Sequence, residues 1–137
     1  MKQHSHQRFV SAIITNKLGQ VLLYQRDRNE KKYPNSWTLF GGKVHQEESF
    51  VQGLERVLKL DLNLNPEQVE KIWLFHSHNE HDGTYLLEVY LIHTVAELED
   101  LVLGRGRDFD YFRTDQLLEI DLAHPVKSIL MQYCKIA

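Results

Sequence analysis

A pair of glycines followed by a capped amphipathic segment constrains the fold of this chain more than any other feature. After the glycines at 41–42, Ser49 precedes Gln52 by three residues, which is the spacing of a capping box at the start of a helix. The apolar residues that follow recur at helical spacing, so one face of this helix is expected to be buried. The pattern predicts a helix from about Ser49 or Phe50 to about Asp61.

Runs of β-branched and aromatic residues on both sides of this helix predict strands. These runs lie at 9–14, 21–24, 69–75 and 85–92, and a further strand is expected around 101–103. The turn residues at 16–19 predict a hairpin, 26–36 is typical of a polar surface loop, and 76–83 is expected to join two strands. A short helix from Thr114 and a last helix that begins near Pro125 complete a mixed α/β pattern. No linker or repeat interrupts it, so residues 1–137 are expected to form a single domain.

Composition and charge argue against several classes of protein. Sixteen basic and nineteen acidic residues give a net charge of -3, which argues against binding to nucleic acid through a basic surface. No apolar run is long enough to cross a membrane, and residues 1–10 lack the features of a signal peptide. Cys134 is the single cysteine, so no internal disulfide can form. We therefore expect a cytoplasmic domain with neither a membrane nor a nucleic acid as its partner.

The segment WTLFGGKVHQEESFVQGLERVLKLDLNL, residues 37–64, resembles the signature of the Nudix superfamily of MutT-like hydrolases. That signature is a glycine, five residues, a glutamate, seven residues and then R-E-U-x-E-E-x-G-U, where U is a bulky aliphatic residue. Five of the nine defined positions match at the required spacing: Gly42, Glu48, Arg56, Leu58 and Leu64. The W-x-x-F-G-G approach resembles a bacterial subgroup. The resemblance implies a Nudix fold, a mixed β-sheet sandwiched between α-helices, with the box-like segment at 42–64.

The departures from the signature fall on residues that bind Mg²⁺ in the family. Positions 57, 60 and 61 lie within about 100° of one another on a helix, so carboxylates there can converge on a hard cation. In this chain they are Val57, Leu60 and Asp61. The family often carries a further metal-binding glutamate in a turn before the last strand, where this chain has Arg105. Because a cation there would repel Mg²⁺, we expect one weakly bound ion at most and no metal cluster.

The resemblance implies roles for the polar residues that remain. The candidate catalytic residues are Glu48, Arg56 and Asp61. The candidate ligands of a single Mg²⁺ ion are the Gly42 carbonyl and the carboxylates of Glu48 and Asp61. The candidate substrate contacts are Arg26, Trp37, Lys43, Arg105 and Arg107. The alternatives stay open: Glu48 and Arg56 can be a structural ion pair, and Trp37 can be a packing residue.

Three functions follow from the resemblance and its departures. The first is a divergent pyrophosphohydrolase that acts on a nucleoside diphosphate linked to another group, with weak or lost activity. The second is a non-catalytic domain that binds a nucleotide-type small molecule. The third resembles the GDP-mannose mannosyl hydrolases, which keep only the last acid of the box, as RVLKLD does here; their catalytic arginine is Lys43 in this chain. A homodimer is an open alternative to a monomer.

A cluster of histidines offers a separate hypothesis. His76 and His78 are two residues apart and would share one face of a strand, and His81 follows. Such a cluster can bind zinc or another transition metal, and it can equally be a polar connection that is rich in histidine.

Overall fold

Seven strands form one mixed sheet in the computed structural model, which describes residues 7–66, 69–79 and 83–136, without the side chains of 72–79, 83 and 136. The strands are β1 (Gln7–Thr15), β2 (Val21–Gln25), β3 (Trp37–Thr38), β4 (Phe40–Lys43), β5 (Glu70–Asn79), β6 (Gly83–His93) and β7 (Asp108–Phe112). The helices are α1 (Phe50–Leu62), α2 (Thr114–Leu117) and α3 (Val126–Ile136), with a short 3₁₀ turn at Leu98–Asp100. None of these helices is long and apolar enough to span a membrane within the described ranges.

The sheet is organised around β1. This strand runs parallel to β6 and antiparallel to β2 and β4, and the outer pairs β5 with β6 and β7 with β2 are antiparallel. In the register of β1 with β4, Val10 lies opposite Gly42 and Ser11 lies opposite Gly41. The glycine pair is therefore fixed against the centre of the sheet.

Both faces of the sheet are covered by helices. Alternate residues of β1 point to opposite faces, as in any strand: Val10, Ala12 and Ile14 join one core cluster, and Ile13 joins the other. The first cluster includes three leucines of α1: Leu54, Leu58 and Leu62. The second includes residues of α2 and α3: Leu117, Val126, Ile129 and Leu130. The predicted mixed sheet sandwiched between helices is confirmed.

The capped helix predicted from the sequence is confirmed as α1. The Ser49 hydroxyl accepts a hydrogen bond from the Gln52 amide at 3.1 Å, and the Gln52 side chain accepts one from the Ser49 amide at 2.9 Å. The helix extends one residue past the predicted end and closes at Asn63, whose φ of 54° is the left-handed conformation that asparagine tolerates.

Two predictions about the strands are wrong. Residues 101–103 do not form a strand. The Val102 amide instead donates to the Leu62 carbonyl at 3.1 Å, so this segment is hydrogen-bonded to the end of α1 rather than to a sheet edge. Residues 76–79 were expected in a connection, but they continue β5 because their backbone pairs with β6. The predicted histidine cluster depends on His81, which lies outside the described residues, as do the side chains of His76 and His78.

Candidate functional site

An ion pair ties the loop after β4 to α1. Arg56 Nε donates to Glu48 Oε2 at 2.7 Å, and its Nη2 donates to Glu48 Oε1 at 3.0 Å and to the Lys43 carbonyl at 2.8 Å. Glu48 Oε1 also accepts the His45 amide at 2.8 Å. Both carboxylate oxygens of Glu48 are thus engaged by the protein, in a two-point arginine pair of the strong kind.

These hydrogen bonds lower the pKa of Glu48 from its ordinary value of 4.5 to about 2, with the Arg56 bond as the larger cause and the His45 amide as the next. An acid whose pKa is lower in the folded state stabilises the protein above its unfolded pKa, and this contribution is lost as the pH falls towards the folded pKa. We therefore expect the melting temperature of Glu48→Gln to lie below that of the wild type at pH 7, and this difference to shrink by pH 3. Thermal unfolding at both pH values tests this. The same change at the adjacent exposed Glu47 should have little effect, and a difference that grows at pH 3 would contradict the assignment.

A second ion pair joins the end of α1 to the turn before β7. Arg105 Nη1 lies 3.2 Å from Asp61 Oδ2 and donates to the Gly41 carbonyl at 3.0 Å. Its guanidinium carbon lies 5.3 Å from the centre of the Tyr24 ring, within the range of a cation–π contact. Burial raises the pKa of Tyr24, so its phenol stays neutral beneath the guanidinium. Arg105 is therefore held by an acid, a carbonyl and an aromatic ring.

The turn that carries Arg105 requires its flanking glycines. A Cβ atom on Gly104 would lie 2.6 Å from the Leu60 carbonyl oxygen, and Gly106 has a φ of 77°. The Gly104 amide donates to the Asp61 carbonyl at 2.8 Å. The glycines let the turn approach the end of α1 closely enough for Arg105 to reach Asp61.

The oxygen donors near the box do not fit a Mg²⁺ ion. Val57, which is buried against Gly42, and Leu60, which is 69% exposed, have hydrocarbon side chains and offer no side-chain oxygen. Asp61 is paired with Arg105, and Glu48 is paired with Arg56. Among the described residues, no group of three or more histidine, cysteine, aspartate or glutamate side chains could hold a metal. Magnesium needs several oxygen ligands in near-octahedral geometry, and the guanidinium of Arg105 already contacts one of the candidate oxygens, Asp61 Oδ2.

A cleft of about 640 Å³ opens beside this second ion pair. Its polar lining includes Arg26 and Arg105 from the predicted substrate contacts, together with both glycines of the pair. Its apolar lining comes from β1, β6 and α3: Phe9, Tyr85, Leu87, Val126 and Ile129. The structure thus brings a cationic region and an apolar region together in one cavity.

The other three predicted substrate contacts do not line this cleft. Trp37 packs edge-to-face on Phe112, with ring centres 4.9 Å apart. The Lys43 carbonyl accepts from Arg56, and Arg107 Nη1 donates to Asn35 Oδ1 at 2.7 Å.

Some cleft residues were not singled out from the sequence. Lys32 and Tyr33 lie in the polar loop at 26–36, and Phe9 and Tyr85 lie at the starts of predicted strands and were given no role in the site. The alternation of residues along β1 could have placed Phe9 and Ser11 on one face. The loop residues gave no comparable periodic signal.

Comparison with known proteins agrees with this architecture. A family model described as the NUDIX domain matches residues 5–133. No curated protein sequence matches the chain significantly. Structures with the same fold include the MutT protein from Methanosarcina mazei Go1, at 17% identity and a TM-score of 0.80 over 99% of this chain and 98% of that one.

Two further structures are similar over most of their length. The NUDIX domain of Shewanella oneidensis NrtR, complexed with ADP ribose, is 17% identical with a TM-score of 0.80, over 98% of this chain and 90% of that one. The E. coli ORF135 protein is 22% identical with a TM-score of 0.75, over 96% of this chain and 91% of that one. Identities this low support the fold alone. Because the family model covers far more than half of the sequence, the chain belongs to the NUDIX family.

Proposed function

We propose that this chain is a ligand-binding Nudix domain whose cleft binds a nucleotide-type small molecule without a divalent metal, and that its hydrolytic activity is weak or lost. The observation that carries the proposal is the position of Arg105. Its Nη1 atom lies 3.0 Å from the Gly41 carbonyl and 3.2 Å from the Asp61 carboxylate. A fixed positive charge therefore stands between two oxygens that would otherwise attract a cation.

The remaining donors of Arg105 suit an anionic group. A guanidinium has five N–H donors, and the two contacts above use only one of its terminal nitrogens. Arg26 lines the same cleft, and its Nε donates to the Lys32 carbonyl, which holds its side chain in place. Arginines held in this way can bind a phosphate by paired hydrogen bonds.

The apolar part of the cleft suits a planar ring. Phe9 and Tyr85 pack edge-to-face with ring centres 5.4 Å apart, and aliphatic residues of β6 and α3 line the same cavity. A ligand with both a phosphate and an aromatic base matches a cavity that has both a cationic and an apolar part. The complex of the NrtR NUDIX domain with ADP ribose supports this ligand class.

Loss of turnover follows from the same contacts. A metal ion in such a site would polarise the bridging phosphates and activate water. Here the two remaining acids of the box, Glu48 and Asp61, are each bound to an arginine. Glu48 and Arg56 are therefore proposed to hold the loop in place, and Asp61 to hold Arg105.

The experiment that tests the proposal is ligand-induced thermal stabilisation in EDTA, with ADP-ribose and ADP as probes. A ligand at about a hundred times its Kd adds roughly 2.7 kcal/mol to the free energy of unfolding, which shifts the melting temperature of a domain of this size by several degrees. We expect this shift in EDTA, and we expect no release of phosphate or nucleotide products on adding Mg²⁺. The absence of any shift with either probe would overturn the proposal.

The divergent hydrolase is the second candidate function. The observation that favours it is the placement of Glu48 in the loop after β4 and of Arg56 and Asp61 on α1, next to the strand that carries the glycine pair. On this candidate, turnover of a nucleoside diphosphate derivative, including a nucleotide sugar, requires Mg²⁺ and is abolished by Asp61→Ala. The same assays distinguish the two, because only the hydrolase predicts metal-dependent product.

A further inference from the structure

The loop between β2 and β3 places Tyr33 at the mouth of the cleft. Tyr33 lines the cavity and is 46% exposed. Its φ of 52° is left-handed, a conformation that is uncommon for residues other than glycine and strained for a bulky one. Tyr33 therefore places a large aromatic side chain on a backbone conformation that glycine adopts without strain.

Hydrogen bonds from two sides hold the loop in this conformation. The Ser36 hydroxyl donates to the Tyr33 carbonyl at 2.6 Å. Gln25 Nε2 donates to the Asn35 carbonyl at 2.9 Å, and Arg107 Nη1 donates to Asn35 Oδ1 at 2.7 Å. The turn that carries Arg105 into the cleft thus also braces the loop that carries Tyr33.

Four aromatic side chains line the cleft, and three of them already have a partner. Phe9 and Tyr85 pack on each other, and Tyr24 is buried between Phe40 and the guanidinium of Arg105. Within the described part of the chain, no aromatic or cation–π partner is found for the Tyr33 ring. Tyr33 is also the most exposed of these four aromatic residues.

We infer that Tyr33 contacts the ligand by stacking on its planar base, and that Arg107 positions Tyr33 through Asn35. This inference rests on the proposed function, because it assumes a nucleotide-type ligand. The Tyr33 ring offers a π-face to a base and carries no positive charge that would attract a phosphate, so Tyr33 is assigned to the base and Arg105 to the anion. Arg107, which was expected to contact the substrate, becomes a positioning residue.

Calorimetric titration with ADP-ribose and with ribose 5-phosphate, which lacks the base, tests this assignment. Stacking on one base contributes enough binding free energy that Tyr33→Ala should raise the Kd for ADP-ribose by about tenfold. Tyr33→Phe keeps an aromatic ring, so its Kd should stay within about twofold of the wild-type value. Binding of ribose 5-phosphate should be unchanged in both variants. If the wild type and Tyr33→Ala bind ADP-ribose equally well, the inference is overturned and the proposed function stands. If the wild type binds neither ADP-ribose nor ADP, both are overturned.

The positioning role of Arg107 has its own readout. Arg107→Ala should weaken ADP-ribose binding but leave ribose 5-phosphate binding unchanged, and adding it to Tyr33→Ala should cause no further loss. An equal loss for both ligands would instead show that Arg107 contacts the phosphate, which overturns its positioning role.

The left-handed backbone at Tyr33 allows a variant that separates loss of the ring from loss of stability. Tyr33→Gly should raise the melting temperature, because glycine adopts the left-handed conformation freely, and should lose ADP-ribose affinity as Tyr33→Ala does. Asn63→Gly changes a residue with nearly the same φ, 54°, outside the cleft lining, and should leave the affinity unchanged. If Tyr33→Gly retains full affinity, the ring has no role in binding.

Discussion

Gly41→Ala is expected to destabilise the fold by about 3 kcal/mol or more, at the upper end of the cost of overpacking a core. A Cβ atom at this position would lie 2.1 Å from the Val10 carbonyl oxygen and 2.9 Å from the Ser11 Cα. Both atoms belong to the backbone of β1, so no side-chain rotation can relieve the overlap. Relief requires β4 to move away from β1, which breaks the register that places Gly41 opposite Ser11.

The neighbouring glycine is the matched control for this prediction. A Cβ atom on Gly42 would meet only the Val57 Cγ2 methyl group, at 3.3 Å, so Gly42→Ala should cost less than about 1 kcal/mol. Urea unfolding of the wild type and both variants measures the free energies directly. Equal stability of the two variants would contradict the pairing of β4 with β1 as described.

The parts of the fold that depend on local chemistry could be predicted from the sequence. The Ser49 capping box, the apolar face of α1 and the first hairpin each depend on residues close together in the chain. The strand expected at 101–103 was wrong because an apolar run does not reveal its partner. In the folded chain those residues lie against the end of α1, a contact that no local pattern specifies.

In the candidate site too, some contacts could be predicted from the sequence and others depend on long-range packing. The Glu48–Arg56 pair and the replacement of a family acid by Arg105 both follow from the resemblance. The contacts of Arg105 span 44 residues to Asp61 and 64 residues to Gly41, so they depend on how α1, β4 and the turn before β7 come together. The contact of Arg107 with Asn35 spans 72 residues and could not be predicted. A cytoplasmic location and a homodimer remain predictions.

Arg105→Glu is expected to weaken ADP-ribose binding in EDTA by about 10- to 100-fold. A hydrogen bond to a charged group contributes about 1.5–3 kcal/mol, and each 1.4 kcal/mol is a factor of ten in Kd. The new carboxylate would also repel the phosphates and stand beside Asp61, so the melting temperature should fall as well. Calorimetric titration of the folded variant measures the affinity. Lys17→Glu makes the same change of charge in the turn between β1 and β2, outside the cleft lining, and should bind as the wild type does.

Adding acidic side chains at positions 60 and 105 tests whether Arg105 takes the place of a metal ion. In the double variant Leu60→Glu with Arg105→Glu, two carboxylates are added near Asp61, and Leu60 is exposed enough to be replaced at little cost. Because oxygen donors at positions 60 and 61 can converge on one cation, Mg²⁺ should raise the melting temperature of the double variant by several degrees but leave the wild type unchanged. Equal stabilisation of the wild type would mean that the Arg105–Asp61 pair opens to admit the ion. The metal-dependent hydrolase would then account for the site better than metal-free binding.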